Sequence, residues 1–189
     1  MGYPSLPVDE YREKLKQAVA FPIWQSIPDD PDTLEDEHRT WCSHFVRGVV
    51  RWFNFTDWAP SHTMGGKKVN GERAADIRNW MSAHPTRWKA LAIPTGHTDY
   101  SQARTYASMG HLVVAAQVNT TPVAAGKWRA SGHVCIVAPE TTMWESGTFK
   151  CKVPLVANVG GKDNAYGIPL SKAFKPDPIV GCWLYLGLG

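Results

Sequence analysis

Along the first half of the chain apolar residues recur every three or four positions; along the second they alternate or run together. Tyr11, Leu15, Ala18 and Val19 share one side of a helix predicted over 8–20, with Asp9 near its start and Pro22 ending it. Phe45, Val46, Val49, Val50 and Phe53 form a second stripe of period 3.6. That helix begins between 39 and 42, after an acidic loop at 30–37, and Asn54 and Asp57-Trp58-Ala59-Pro60 stop it. Cys42 falls on the stripe, whereas Arg47 and Arg51 lie off it. Gly65-Gly66-Lys67-Lys68 reads as a loop. A third helix is predicted over 74–83, with Ala74, Ile77 and Met81 in phase and Pro85 beyond it. A short fourth covers 101–108, closed by Gly110.

After Gly110 the character changes. Segments 112–118, 134–138, 143–145, 148–153 and 179–186 read as strands. Alternation puts His133, Cys135 and Val137 on one face, and Val134, Ile136 and Ala138 on the other. A turn at 139–142 returns the chain to Met143-Trp144-Glu145 and predicts a hairpin. Helices first and strands second predict a single α+β domain over 1–189, with a helical layer on one face of an antiparallel sheet. Cys42 on its helix then faces His133 on the sheet across the layer boundary. There is no internal repeat or low-complexity segment.

Composition narrows the function classes. Hydrophobic content of 43% and charged content of 20% are those of a globular domain. No apolar run approaches the ~20 residues of a membrane span. A net charge of +3 fits mild attraction to an anionic wall or membrane surface. It does not argue for nucleic acid, since Lys67-Lys68 is the longest basic run and no nucleic-acid motif is present. Residues 1–7 lack the charged and apolar regions of a secretory signal, so synthesis in the cytoplasm with export by another machine, or release by lysis, is expected.

The chemistry concentrates in two motifs, Trp41-Cys42-Ser43-His44-Phe45-Val46 and Ser131-Gly132-His133-Val134-Cys135-Ile136-Val137. A thiol at a helix start feels unpaired N–H groups and the positive dipole end, which favour thiolate. An imidazole at the start of a strand supplies the base. Glu145, returning on the predicted hairpin 12 positions after His133, is the candidate carboxylate that orients the imidazole, with Glu140 and Asn158 also within reach. Trp41 and Trp144 flank Cys42 and Glu145 and are candidates for a substrate cleft, with plain core packing as the alternative among the nine tryptophans.

Blander readings stand beside these. Cys42 is otherwise an ordinary buried thiol and His133 a structural histidine. Cys42-x-His44 and His133-x-Cys135 offer four zinc-type ligands, but two residues separated by one position on a helix diverge by about 200°. His44 is expected at a cleft edge or helix contact. Cys151 and Cys182 pack by default, or pair as a disulfide if their strands are neighbours.

Cys42-Ser43-x-Phe45-Val46, Gly110-x-Leu112-Val113-Val114-Ala115 and Gly132-His133-Val134-x-Ile136-Val137, in that order, resemble the NlpC-type cysteine peptidases. The resemblance implies a papain-like fold and cleavage of amide bonds in peptidoglycan stem peptides, with the bond between D-glutamate and diaminopimelate as the expected target. It implies Cys42 as nucleophile, His133 as base and Glu145 as orienting residue, with no metal or other cofactor. His44 stands where the family usually has glycine, and the family's third residue is more often histidine. Cysteine before histidine is the peptidase order, not that of the permuted lipid acyltransferases. The resemblance further implies an antibacterial effector of a contact-dependent, type VI-like secretion system, with an immunity protein that covers the site. A phage-type lysin and a catalytically silent binding module with a Trp-lined groove are the alternatives.

Overall fold

A computed structural model describes residues 3–21, 41–54, 58–64, 67–70, 74–92, 99–118, 132–160, 164–174 and 180–187. The acidic stretch at 30–37, Pro22, Asp57 and the Gly65-Gly66 pair lie outside the described residues. The described helices are α1 (Val8–Val19), α2 (Trp41–Arg51), α3 (Ala74–Ala83), α4 (Ser101–Ser108) and α5 (Leu170–Ala173). The described strands are β1 (Ser61–Met64), β2 (Lys67–Asn70), β3 (Trp88–Ala92), β4 (Val113–Val118), β5 (Gly132–Val137), β6 (Met143–Ser146), β7 (Cys151–Asn158), β8 (Ala165–Pro169) and β9 (Gly181–Tyr185).

The helices form where the 3.6-residue pattern puts them. Pro7, whose carbonyl accepts the Tyr11 N–H, precedes α1, and Tyr11, Leu15 and Val19 are its buried residues. The stripe of α2 is buried from Cys42 through Phe53. Its end tightens through Trp52 N–H to Val49 C=O and Phe53 N–H to Val50 C=O, and the chain leaves through Asn54 at φ 56°. Each fully buried Val or Phe of that stripe contributes about 1.5–3 kcal/mol of transfer free energy. That burial makes α2 a central element.

Seven strands form one antiparallel sheet in the order β3-β9-β4-β5-β7-β6, with β8 also paired to β7; β1 and β2 form a separate hairpin. The chain is therefore α+β with an antiparallel sheet, as its sequence predicts. The helical layer is not confined to one face. Helices α1, α2 and α3 share a core with Val114, Ala116, Val134, Ile136, Ala157 and Val159. Helix α4 and Leu170 of α5 share the opposite core with Val113, Ala115, Cys135, Val137, Val156 and Cys182. The alternation of those two lists along β4 and β5 is the period-2 rule, with both faces covered.

The predicted hairpin between the His133 strand and the Met143 strand does not form. β5 pairs with β7 through Ile136–Ala157 and Val137–Val156, and β6 pairs with the earlier part of β7. The physical reason is burial. Val134 to Val137 are all buried and need a buried partner, which β7 supplies, whereas only Ser146 of β6 is buried. β6 is thereby left at the sheet margin. Cys151 on β7 and Cys182 on β9 have β4 and β5 between them, so their strands are not neighbours and all four cysteines are free thiols.

Glu140 links the two ends of the chain. Its Oε1 accepts from Arg12 Nε at 2.9 Å and from the Tyr166 hydroxyl at 2.5 Å. Helix α1 is thus tied to β8 and to the segment leaving β5. The same contacts occupy the Glu140 carboxylate.

Candidate active site

Cys42 is the second residue of α2 and is 4% exposed. Its backbone N–H belongs to the first turn, where amides have no intrahelical acceptor. Its Sγ lies 3.9 Å from the Ser43 hydroxyl, which is also buried. Helix α2 is held on the sheet by Phe45, Val46, Val49 and Val50 against the core that includes Val134 and Ile136 of β5. This contact places the α2 stripe over Val134 and Ile136; His133, in step with Cys135 and Val137, has its ring on Phe174 of the opposite core, so Cys42 and His133 do not simply face each other across one layer boundary as the sequence suggests.

Gly132 brings His133 in. It adopts φ 151°, and a Cβ there would stand 1.9 Å from the Gln117 carbonyl oxygen, so only glycine fits this approach to β4. His133 opposes Gln117 in the β4–β5 register. Its ring packs edge-on to Phe174 at 5.1 Å between centroids. Nε2 of His133 lies 2.6 Å from Oδ1 of Asn158, at the end of β7. The Asn158 amide nitrogen donates to the Gly160 carbonyl at 3.3 Å.

Gly160 lies near the start of α2. It adopts φ 95°, and a Cβ on it would lie 3.2 Å from the Cys42 backbone nitrogen and 3.5 Å from the Cys42 Cβ. The chain just past β7 therefore lies close to the first turn of α2, while Asn158 at the end of β7 bonds the imidazole. Asn158 therefore bonds both His133 and Gly160, and Gly160 lies close to Cys42.

The predicted site residues divide accordingly. Cys42 and His133 are both reached by residues 158–160. Glu145 is not: it is exposed on β6, and its register partner is Lys152. Lys152 is six residues from Asn158 along β7, about 20 Å at ~3.3 Å per residue. Asn158, weighed as an alternative from sequence, occupies the position by the imidazole instead. Trp41 is buried in the α2 core, with its ring 6.0 Å from that of half-buried His44. Trp144 is 55% exposed on β6, with Val153 as its register partner, roughly 16 Å along β7 from Asn158. Neither Glu145 nor Trp144 is brought to Cys42.

Sequence reasoning assigned no role to Gly160 or Asn164. The signal was Asn158-Val159-Gly160-Gly161 closing the apolar run Val153-Pro154-Leu155-Val156-Ala157, a polar residue and a glycine pair where a buried strand ends.

The other three thiols are raised above the usual range. Burial pushes Cys182 up to about 12 and Cys135 well above the usual thiol range. Cys151 is raised as well, by desolvation first and then by the charges of Glu145 and Asp99. Among the described residues, no three His, Cys, Asp or Glu side chains gather as metal ligands. No helix among them is long and apolar enough to cross a membrane.

Compared with protein-family models, curated proteins and solved structures, the chain matches none. The functional reading therefore rests on the arrangement of Cys42, His133 and Asn158 and on the sequence motifs that carry them.

Proposed function

We propose that this protein is a cysteine-dependent amide hydrolase of papain-like fold that acts on peptidoglycan stem peptides. The observation that supports the reading is that the chain at and just past the end of β7 carries both the asparagine that holds His133 Nε2 and a glycine lying close to Cys42 in the first turn of α2. Cysteine, histidine and asparagine in these roles are the papain-like variant of the catalytic triad, which is recognised by geometry rather than by sequence position.

The chemistry follows from the atoms. Nε2 of His133 faces Asn158, and Nδ1 is the nitrogen assigned to exchange a proton with the thiol. Cys42 Sγ, as thiolate, adds to the substrate carbonyl carbon and forms a tetrahedral oxyanion. The Cys42 backbone N–H is the donor suited to that oxygen, and the missing side chain at Gly160 keeps it uncrowded. His133 Nδ1–H protonates the departing amine as the C–N bond breaks, leaving a thioester. Water, losing its proton to Nδ1, then attacks the thioester and releases the acid and the thiolate. Asn158 is neutral, so it orients the imidazole without the charge stabilisation a carboxylate would add.

The substrate comes from the resemblance to NlpC-type peptidases, with the D-glutamate–diaminopimelate bond as first target. It places the reaction in the periplasm or wall of a target bacterium and, if delivery is by an effector system, requires an immunity partner over the Cys42 cleft. Digestion of purified sacculi, with fragments identified by mass spectrometry, tests this. The expected products are stem peptides cut at one amide bond by the wild type and not by Cys42→Ala; intact sacculi after prolonged digestion would contradict it.

The third residue gives a separate prediction. Asn158→Ala is expected to lower kcat/KM by roughly 10- to 1000-fold, because the imidazole loses its orienting acceptor. Glu145→Gln, about 20 Å away along the strand, is expected to leave it within about twofold. Steady-state kinetics of the two variants decide between the two residues.

A further inference from the structure

Strand β8 does not keep one register along its length. Val156 pairs with Ile168, but Ala157 pairs with Tyr166, so Gly167 is one residue more than β7 has to match. Gly167 adopts φ 76°, and among the described residues a Cβ there would meet no atom within 4 Å. Glycine is present for its backbone conformation, not for space. The extra residue is a bulge, and side chains beyond a bulge change face. Ile168 packs on the core under α4 and α5, as its partner Val156 does. Tyr166, two residues away, packs with Ala157 on the core of α1, α2 and α3. In an unbroken register Tyr166 would oppose Asn158 and share its side of the sheet. The bulge turns it toward α1.

There Tyr166 meets Glu140. The phenol donates to Oε1 at 2.5 Å, within the range of a charge-assisted O–H···O⁻ bond. The same oxygen accepts from Arg12 Nε at 2.9 Å, and Arg12 Nη2 donates to the Pro139 carbonyl at 3.3 Å, so the acceptor is itself held. Burial first, and then the bond to Glu140, keep the phenol above its usual range, so it remains a donor.

On the other side of Tyr166 the strand reaches the site. Ala165 pairs with Asn158, and Asn164 accepts from the Gly160 N–H at 2.7 Å. The β5–β7 register consists of Val137–Val156 and Ile136–Ala157, so Asn158 stands one residue past it. The pairs Ala157–Tyr166 and Asn158–Ala165 lie on the site side of the bulge, where the ladder is interrupted from the rest of β8. The Tyr166 side chain anchors this short stretch.

We infer that Tyr166 is a positioning residue: aimed at Glu140 by the Gly167 bulge, it holds the stretch of β8 that pairs with Asn158 and, through Asn158, the imidazole of His133. This rests on the reading of His133 as the base of the site.

Tyr166→Phe tests it by removing the hydroxyl and keeping the ring. The variant is expected to lower kcat on the order of 10-fold with KM within about twofold, because it disturbs the aim of the imidazole and not the binding of substrate. The loss is expected to vanish in an Asn158→Ala background, since the two residues act along one path. Glu140→Gln keeps the acceptor oxygen and is expected to retain most of the wild-type kcat, whereas Glu140→Leu is expected to lose at least as much as Tyr166→Phe. A merely structural role would lower Tm and leave the loss intact beside Asn158→Ala. The NMR signals of the Asn158 side-chain amide and the His133 ring, assigned with Asn158→Ala and His133→Gln, read the same coupling without substrate. Both are expected to shift in Tyr166→Phe and to stay near wild type in Glu140→Gln. Should Tyr166→Phe not fold, Glu140→Leu carries the same readouts. A folded Tyr166→Phe protein with wild-type kcat, or with both signals unshifted, would overturn the inference, as would a loss that multiplies with that of Asn158→Ala. If the wild type cleaves no amide, the functional reading fails, while the NMR signals still decide whether Tyr166 positions Asn158 and His133.

Discussion

Cys42→Ala is expected to abolish amide hydrolysis, by about 10⁴-fold or more in kcat, while the protein stays folded. The substitution removes the only atom proposed to bond to substrate. It also removes only one buried sulfur from the first turn of α2, whose anchoring stripe of Phe45, Val46, Val49 and Val50 is untouched. The expected stability loss is ~1 kcal/mol, which a 189-residue domain registers as a fall in Tm of about 2–4 °C. Thermal melting beside the kinetic assay separates the two effects. A folded Cys42→Ala protein with wild-type activity would remove the thiol from the mechanism.

His133→Ala is expected to cost about as much activity, and Cys42→Ala/His133→Ala no more than either alone. A thiolate without its acid cannot expel the amine, and an imidazole without its thiol has no acyl group to transfer. Residues that act as one unit lose their joint contribution once. Multiplying losses in the double variant would mean that the two belong to different functions. His133 also packs on Phe174 and bonds Asn158, so the single variant should be checked for folding by the same melt.

The sequence was informative where one element decides its own form. Helices α2, α3 and α4 follow from apolar spacing and from Asn54, Pro85 and Gly110 as stops, and Cys42 falls in the first turn as that spacing requires. The strand of His133 was equally legible. Partners were not. The turn-like Pro139-Glu140-Thr141-Thr142 suggests a return to β5, but pairing is won by the more deeply buried β7.

Pro154 hid the length of β7, since a proline normally ends a central strand. Here β7 changes partners around it: residues 151–154 pair with β6, 155–158 with β8, and the pairing with β5 is at Val156 and Ala157. With the strand read as ending at 153, Asn158 lost its place at the site and Glu145 gained one it does not hold. The continuous apolar runs at 113–116 and 134–138 carried a further signal, because strands buried on both faces do not alternate. They explain why α4 and α5 cover the second face. β3 shows the opposite case: Trp88-Lys89-Ala90-Leu91-Ala92 has weak strand character and is fixed by pairing with β9.

The proposed mechanism requires Cys42 to be ionised at neutral pH with His133 as its partner. It is tested most directly by thiolate absorbance as a function of pH, taken as the difference between the wild type and Cys42→Ala. Cys135 and Cys182 are pushed far up by burial and Cys151 is also raised, so these three remain thiols below about pH 8.5 and cancel. The expected result is a full thiolate signal at pH 7 that disappears only as the pH falls below about 5, and that shifts toward the ordinary thiol range in His133→Ala. A signal that appears only above about pH 8.5 in the wild type, and is unchanged by His133→Ala, would contradict it.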